Sequence, residues 1–337
     1  MAAFLRKRGH SVDVIAPTHD NMRALARKRI SLLARVSRRL NRRRSLPHLW
    51  DLVADAIEPR VRAGGYHVVI GRSPDVATVL TRPLGASTIY DMANVGFLEE
   101  YYSGATTIDD VENTYRHERA IFESVDRILT PHPVLTDYFT RYLSASPQIC
   151  SKTTTIRLGA DVTSRRAAYA ESPRIVYAGS YHYIQDPLFL CTLTTISPAP
   201  IDCYGFRDPN RSFFPAPLNY CGFRDSVDFL ADYQFGLITV SRDVLRQHSP
   251  ATKFPYYFSY GLPVLFPEWM KEGHEYPSCA IPYTESTFAS QVLKASDRTR
   301  WCDMSAAAAD LGRQLSWDNV LRPLADIVTS VECARTA

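Results

Sequence analysis

Short apolar runs alternate with amphipathic helical patterns along most of this chain, and this alternation constrains its fold more than any other feature. In the first half, strands are predicted at His67–Gly71, Ser87–Asp91 and Arg127–Pro131, and each is followed by a predicted helix. Strands that alternate with helices form a parallel sheet with helices on both faces. The first half therefore predicts a doubly wound α/β lobe.

The same alternation restarts after an irregular polar stretch. Five further strands are predicted, at Arg174–Ala178, Ile201–Gly205, Tyr220–Gly222, Phe235–Val240 and Pro263–Phe266. At 337 residues the chain is long enough for two domains of this kind. We predict an N-terminal lobe over residues 1–160, a linker at 161–172, a second lobe over 173–315 and a C-terminal helix over 316–337.

The chain starts at an unusual point for such a fold. Residues 2–9 have the pattern of the end of an amphipathic helix, and Val12–Ala16 is an apolar run that ends at Pro17 as a short buried strand would. A parallel sheet normally opens with a strand that its first helix covers. One hypothesis is therefore that the first strand of the first lobe is missing from this sequence.

The composition excludes several classes of protein. Seven cysteines are widely spread, and none forms a C-x-x-C pair or a Cys/His pair at zinc-ligand spacing, so we interpret them as reduced thiols that lie mostly in the core. No stretch approaches the roughly 18 apolar residues of a membrane span, and the first residues lack the apolar core of a signal peptide. These features predict a cytoplasmic protein.

The segment Ser249–Val264 has the pattern of a ligand site at the start of a helix. A helix that starts between Pro250 and Lys253 would point backbone N–H groups and the positive end of its dipole at a bound anion, and Lys253 would add a charge. Gly261 would turn the chain out of the helix, and Pro263 would prevent its continuation. The alternative is an ordinary helix, turn and strand with a surface lysine.

The order of these segments, from Arg8 to about Val328, resembles that of the GT-B glycosyltransferases. The stretch 175–180, Ile-Val-Tyr-Ala-Gly-Ser, is similar to the strand and small-residue turn that open their nucleotide-sugar domain. Ser249–Val264 is similar to their signature S-x-x-x-K-l-x-E-Y-x-a-x-G-x-P-V. The resemblance implies two Rossmann-like lobes that face each other across a cleft. It also implies a final helix, opening near Trp317, that crosses back to the first lobe.

Two positions depart from the retaining enzymes of this fold, which carry the pattern E-x7-E. His248 and Tyr256 occupy the positions of those two glutamates. The better likeness is to the xanthan-type glucuronosyltransferases, an inverting branch whose stretch M-K-L-x-Q-Y-D-x-F-G-L-P is similar to Thr252–Pro263. This resemblance implies an inverting enzyme in which Lys253 holds the nucleotide phosphates and Tyr181 lies against the nucleotide.

The resemblance places the donor site in the second lobe and the catalytic base in the first. The predicted donor-binding residues are Gly179, Ser180, Tyr181, Arg242, Thr252, Lys253 and Tyr256. An inverting transfer needs a general base for the acceptor hydroxyl, and our candidate is Asp91, at the carboxyl end of a predicted strand. His19, Asp20, Glu99 and Glu100 are weaker candidates on predicted loops. The alternatives are that Asp91 only caps a loop and that Arg242 is only a surface charge.

A strongly basic segment follows the first predicted strand. Ten Arg and Lys residues and no acidic residue lie between Arg23 and Arg44, with leucines at helical spacing among them. This pattern is typical of an interfacial helix that binds anionic lipid headgroups, and it predicts a peripheral location on the inner face of the plasma membrane. The alternative is a solvated basic helix with one face on the core. Nucleic acid is disfavoured as a partner because no aromatic residues are interleaved with the arginines.

These features together predict a glycosyltransferase that moves a sugar from a nucleoside diphosphate, expected to be UDP, to a glycan or lipid-linked acceptor in exopolysaccharide or cell-surface glycan synthesis. We expect no cofactor and no metal, because a lysine and a helix terminus would stabilise the departing diphosphate. Two alternatives remain open: a nucleotide-sugar epimerase on the same scaffold, and an inactive homologue that only binds nucleotide sugars.

Overall fold

The computed structural model describes residues 1–15, 49–103, 107–144, 146–179, 186–205 and 218–336. These residues form two compact units: unit 1 comprises Met1–Ile156 and Leu321–Ala337, and unit 2 comprises Arg157–Val320. Residues 161–172, predicted as a linker, form neither helix nor strand and belong to unit 2. There the N–H group of Ala167 donates to the carbonyl of Tyr260 at 2.9 Å.

Unit 1 alternates helices and strands as the sequence predicts. Its helices are α1 (Ala2–Lys7), α2 (Leu49–Gly64), α3 (Pro74–Ala77), α4 (Gly96–Ser103), α5 (Ile108–Ser124), α6 (Pro133–Tyr138), α7 (Pro147–Ser151) and, after the whole of unit 2, α14 (Arg322–Thr336). Its strands are β1 (Val68–Arg72), β2 (Ser87–Asp91), β3 (Arg127–Thr130) and β4 (Thr153–Thr155). A 3-10 turn at Thr78–Thr81 and a π turn at Phe139–Ser144 extend α3 and α6.

The four strands of unit 1 form one parallel sheet in the order β1-β2-β3-β4. Strand β2 is central and buried, with Ile89 and Tyr90 almost inaccessible to solvent. Helix α5 begins with a capping box, in which Thr107 and Asp110 exchange side-chain and backbone hydrogen bonds. In a parallel sheet the carboxyl ends of all strands meet at one edge, so the order places Asp91, the last residue of β2, at that edge.

The predicted strand at Val12–Ala16 is wrong for the residues that the structure describes. Residues 11–15 form no strand, and Val14 is 68% exposed. The segment is held instead by side chains: the guanidinium of Arg6 donates to the carbonyl of Val12, and the hydroxyl of Tyr66 donates to Asp13 at 2.7 Å. Among the described residues no strand pairs with this segment, and without a ladder for its backbone groups an apolar run does not form a strand.

Unit 2 repeats the alternation on a larger sheet. Its strands are β5 (Ile175–Ala178), β6 (Ile201–Tyr204), β7 (Asn219–Gly222), β8 (Phe235–Leu237), β9 (Val264–Pro267) and β10 (Ala280–Tyr283). Its helices are α8 (Pro187–Ile196), α9 (Val244–His248), α10 (Lys253–Ser259), α11 (Phe288–Ala295), α12 (Arg298–Gln314) and α13 (Trp317–Val320). All neighbouring strands are parallel, in the order β10-β9-β8-β5-β6-β7.

The sheet of unit 2 is buried on both faces. Val176 belongs to an apolar cluster on one face, while its neighbours Ile175 and Tyr177 belong to a cluster on the other. This arrangement accounts for the nearly continuous apolar strands of this half, because successive side chains of a strand point to opposite faces. Full burial of each such aliphatic side chain stabilises the fold by roughly 1.5–3 kcal/mol.

The cysteines are less buried than predicted. Of the six whose side chains the structure describes, only Cys203 and Cys279 are buried, and Cys302 is exposed. The hydrophobic character of cysteine misleads here, because Cys302 lies on the outer face of the long helix α12. The prediction that most cysteines lie in the core is therefore wrong.

Candidate functional site

Two of the predicted donor-binding residues, Gly179 and Lys253, lie against each other in unit 2. Gly179 follows β5, and its N–H group donates to the carbonyl of Tyr204 at 3.0 Å. A Cβ atom at this position would lie 2.7 Å from Cε and 2.8 Å from Nζ of Lys253. A side chain at position 179 would therefore displace the end of the Lys253 side chain from the turn. The structure brings together the small-residue turn and the cation that the sequence places 74 positions apart.

A second glycine closes the same turn. Gly205 follows β6 with φ at +110°, in the left-handed region that side chains rarely adopt, and a Cβ atom there would lie 2.4 Å from the carbonyl oxygen of Gly179. The backbones after β5 and β6 therefore touch. Both turns lie at the carboxyl edge of the parallel sheet, where open α/β folds bind their ligands.

Burial of the Lys253 amino group lowers its pKa from 10.5 to about 8. The amino nitrogen lies 5.2 Å from the centre of the ring of Tyr177, a residue of strand β5. A lysine in this state remains mostly protonated at neutral pH, but its charge has lost hydration. An anion that takes the place of the lost water would form a strong charge-assisted hydrogen bond with this amino group.

Tyr257 holds the backbone just before the Gly179 turn, and its role was not predicted from the sequence. Its hydroxyl accepts the N–H group of Ala178 at 3.0 Å and donates to the carbonyl of Leu237 at 3.2 Å. Its ring fills the space above Gly236, where a Cβ atom would come within 2.4 Å. A glycine inside a strand signals close approach of another group, and this signal could have revealed the contact.

Helix α10 begins at Lys253, within the predicted range, and Thr252 is its exposed N-cap residue. The N–H group of Ala251, just before the helix, donates to the carboxyl group of Glu272 at 2.6 Å. Part of the N–H array expected to face an anion is therefore already satisfied by the protein.

Tyr256, at the position of a retaining enzyme's second glutamate, is half-buried. The predicted turn residue Gly261 has φ at +72°.

Arg242 lies in a separate cavity of about 730 Å³ at the carboxyl ends of β9 and β10. Its guanidinium carbon lies 5.6 Å from the ring centre of Trp269, and Glu268 and Asp186 also line the cavity. Among the described residues, no contact joins Arg242 to Lys253 or Gly179. Ser180 and Tyr181, the other two predicted donor-binding residues, lie outside the described residues, as do the basic segment Arg23–Arg44 and the weaker candidates His19 and Asp20.

The candidate base Asp91 ends β2 in unit 1, as predicted. Its side chain is 18% exposed, borders a cavity of about 400 Å³ and lies 3.6 Å from Nε of Arg72 on the neighbouring strand. Burial raises the pKa of Asp91, and the charge of Arg72 opposes that rise. A carboxylate with a raised pKa is a stronger base than one in water, which suits proton abstraction.

A buried glutamate organises the chain after Asp91. Oε1 and Oε2 of Glu118, on α5, accept the N–H groups of Gly96 and Phe97 at 2.9 and 2.8 Å, at the start of α4. Burial raises its pKa to about 7, and those two N–H groups oppose the rise. The weaker candidates Glu99 and Glu100 were predicted on a loop, which is wrong because both lie within α4. The sequence did carry a signal for the buried Glu118: it stands on the face of α5 that otherwise presents its buried residues to the core.

No helix among the described residues is both long and apolar enough to cross a membrane. In the same residues, no group of three or more His, Cys, Asp or Glu side chains has the arrangement of a metal site.

Neither a protein-family model nor a curated protein sequence matches this chain, but solved structures do. The sucrose-phosphate synthase of Thermosynechococcus elongatus has a TM-score of 0.69 at 12% identity over 88% of this chain and 82% of its own. HepE of Anabaena, in complex with UDP and glucose, has a TM-score of 0.65 at 10% identity over 83% of this chain and 82% of its own. WaaG, a glycosyltransferase involved in lipopolysaccharide biosynthesis, has a TM-score of 0.58 at 13% identity over 93% of this chain and 97% of its own.

This chain has the GT-B fold. Its structural neighbours are GT-B glycosyltransferases, and at these sequence identities the likeness establishes the fold and not the reaction. The GT-B fold predicted from the order of short segments is confirmed, with a parallel sheet in each unit. Within it, Gly179 and Lys253 form the candidate donor contact in unit 2, and Asp91 is the candidate base in unit 1.

Proposed function

We propose that this chain is a glycosyltransferase that takes its sugar from a nucleoside diphosphate, with UDP as the expected nucleotide. The observation that carries the proposal is the contact between the Lys253 amino group and the Gly179 turn, where a Cβ atom would lie 2.8 Å from Nζ. A cation and an accessible backbone, without a side chain in the way, are the groups that bind phosphate oxygens in proteins. The solved complex of HepE with UDP and glucose supports the choice of UDP.

The proposed transfer inverts the anomeric carbon. The acceptor hydroxyl oxygen attacks that carbon, the bond between the carbon and the diphosphate oxygen breaks, and the hydroxyl proton passes to Asp91. Lys253 stabilises the negative charge that develops on the departing diphosphate. His248 and Tyr256 stand where a retaining enzyme has glutamates, and this supports inversion. We assign no metal or cofactor to this step, and transfer that persists in EDTA is the expected result.

The sequence resemblance to xanthan-type enzymes extends the proposal to its finer points. A glucuronosyl donor, a lipid-linked acceptor and a role in exopolysaccharide synthesis are part of it. Arg242, with its guanidinium over Trp269, is the proposed partner of a sugar carboxylate or a phosphate. Tyr181 and Ser180 complete the proposed donor site. The basic segment Arg23–Arg44 would bring the enzyme to an anionic membrane surface that carries its acceptor.

Nucleotide binding is the first test. Isothermal titration and thermal shift with UDP, GDP, ADP and dTDP should show that one diphosphate, UDP by this proposal, binds and stabilises the protein. Sugar transfer is then measured from UDP-glucose and UDP-glucuronate with and without an alkyl glycoside acceptor. Release of UDP that depends on acceptor supports a transferase, whereas a new UDP-sugar formed without acceptor indicates an epimerase. Binding without any turnover indicates an inactive homologue.

Membrane attachment is tested separately. Sedimentation with vesicles of phosphatidylglycerol and phosphatidylcholine should pull down the protein, and vesicles of phosphatidylcholine alone should not. Replacement of Arg42, Arg43 and Arg44 by glutamine should weaken the binding by roughly 1 kcal/mol for each charge removed. Equal binding to both vesicle types would refute this part of the proposal.

A further inference from the structure

A buried carboxyl group lies beneath the chain that leads into Lys253. Glu272 belongs to a 3-10 turn (Lys271–Glu275) after β9 and is only 3% exposed. Its Oε2 accepts the N–H group of Ala251 at 2.6 Å, and its Oε1 accepts the hydroxyl of Tyr276 at 3.3 Å. One side chain thus joins the loop after β9 to the residue that stands two positions before Lys253.

The other partner of Glu272 is itself fixed. Tyr276 is 6% exposed and packs against the rings of Phe254 and Phe258, with ring centres 5.2 Å apart in each case. Its hydroxyl also accepts a hydrogen bond from Arg157 at 3.3 Å, and Arg157 pairs with Glu275 at 2.8 Å. The carboxyl group of Glu272 therefore has little freedom to follow the Ala251 segment if that segment moves.

The position of Ala251 determines where Lys253 begins its helix. Only Thr252 separates the two residues, and Thr252 makes no side-chain cap that could hold the segment by itself. The hydrogen bond of Ala251 to Glu272 is part-buried, and loss of such a bond costs roughly 0.5–1.5 kcal/mol. Displacement of the segment is therefore resisted by Glu272, and the Lys253 amino group stays against Gly179.

We propose that Glu272 is a positioning residue, whose carboxyl group holds the Ala251–Lys253 segment so that the Lys253 amino group is presented to the diphosphate at the Gly179 turn. This inference rests on the proposed function, because it assigns the diphosphate to Lys253. Glu272 does not touch the nucleotide in this proposal. Its effect on affinity passes through the backbone of Ala251.

The chemistry of the carboxyl group gives the proposal a matched pair of variants. Burial raises the pKa of Glu272 to about 8, so the group is mostly neutral at neutral pH. Glu272→Gln keeps a neutral acceptor of the same shape opposite Ala251. Glu272→Ala removes this acceptor from the N–H group of Ala251. A positioning role predicts that glutamine rescues what alanine loses.

Two measurements at pH 7 test the role. Amide hydrogen exchange of the nucleotide-free protein should accelerate in peptides that cover residues 249–254 of Glu272→Ala and remain near wild type in Glu272→Gln. Isothermal titration with UDP should show an affinity about tenfold weaker for Glu272→Ala, which corresponds to about 1.4 kcal/mol, and near wild type for Glu272→Gln. Tyr276→Phe, which loses the hydroxyl that donates to Glu272, should shift both readouts in the same direction by less.

Glu118→Gln is the control for exchange, since it alters a buried glutamate of unit 1 and should leave residues 249–254 unchanged. The proposal is overturned if Glu272→Ala binds UDP as tightly as wild type, or if Glu272→Gln loses as much affinity as Glu272→Ala. If Glu272→Ala does not fold, Tyr276→Phe decides, and unchanged exchange and affinity in that variant overturn the proposal. If the wild type binds no nucleoside diphosphate, the proposed function fails. Exchange without nucleotide then shows separately whether Glu272 holds the segment.

Discussion

The two units place opposite charges at the carboxyl edges of their sheets, Asp91 in unit 1 and Lys253 in unit 2. Burial pushes each group toward its neutral form: the pKa of Asp91 is raised, and that of Lys253 is lowered from 10.5 to about 8. The two groups differ in what surrounds them. Arg72 lies 3.6 Å from Asp91 and opposes its shift, whereas Lys253 lies against a glycine turn and the ring of Tyr177.

This difference fits two separate tasks. A carboxylate whose pKa is raised by burial accepts a proton more readily, and the nearby charge of Arg72 opposes that rise. A lysine amino group that has lost its hydration forms a stronger interaction with an anion than a hydrated one does. The comparison therefore predicts that changes in unit 1 affect turnover and that changes in unit 2 affect donor binding.

The largest expected effect is on turnover. Asp91→Asn should lower kcat by roughly 10²–10⁴-fold, the usual contribution of a general base, and should leave the UDP dissociation constant unchanged. The comparison is made by steady-state kinetics with the donor identified by titration, together with calorimetry. Asp109→Asn, an exposed residue in the first turn of α5, is the matched control. Full activity of Asp91→Asn would remove it as the base and break the division of tasks.

The glycine turn of unit 2 should respond next, and in stability. Gly205→Ala combines a strained φ of +110° with a Cβ atom 2.4 Å from the carbonyl of Gly179, so we expect a loss of about 2–4 kcal/mol in unfolding free energy. Gly222→Ala is the control, because its φ is +87° but no atom lies within 4 Å of the added Cβ. Urea titration of both variants separates strain from contact. Equal losses would show that the backbones after β5 and β6 do not need to touch.

The same contrast shows what the sequence could reveal. Local patterns were sufficient for most strands, because each predicted strand is a short apolar run of three to six residues between turn signals. Ser87–Asp91 is observed with its predicted ends. They failed at Val12–Ala16, where the pattern was present but no neighbouring strand pairs with it among the described residues. Strand pairing is a tertiary property, and a short apolar run cannot report it.

The candidate site was predicted where a motif carries a chemical type and missed where contacts are long-range. Lys253 and Gly179 were found because a cation and a small residue stand at recognisable positions. Tyr257 and Glu272 were not, because their partners lie 79 and 21 positions away in the chain. Nothing in the local pattern distinguishes the hydroxyl of Tyr257 from that of any other core tyrosine. The packing of α10 against β5 and β8 gives it its role.

Donor affinity gives the third test. Lys253→Ala should weaken UDP binding by roughly 10–100-fold, as expected for the loss of one charge-assisted hydrogen bond of about 1.5–3 kcal/mol. The residual turnover at saturating donor should fall less than in Asp91→Asn. Lys294→Ala, on the exposed face of α11, is the control. Unchanged UDP affinity in Lys253→Ala would refute its role with the phosphates.

The smallest expected effect is the pH dependence of that affinity. Only the protonated amino group attracts the diphosphate, and the pKa of Lys253 in the free protein is about 8. Binding favours the charged form, so affinity should be full well below pH 8 and should fall by about tenfold between pH 7 and pH 9. Glu272, with a pKa of about 8, ionises over the same range, and Glu272→Gln removes this second titration, so the fall that Lys253 causes should persist in Glu272→Gln. Calorimetry with Lys253→Ala should show no such fall. A wild-type affinity that stays constant to pH 9 would mean that the diphosphate is held by other groups.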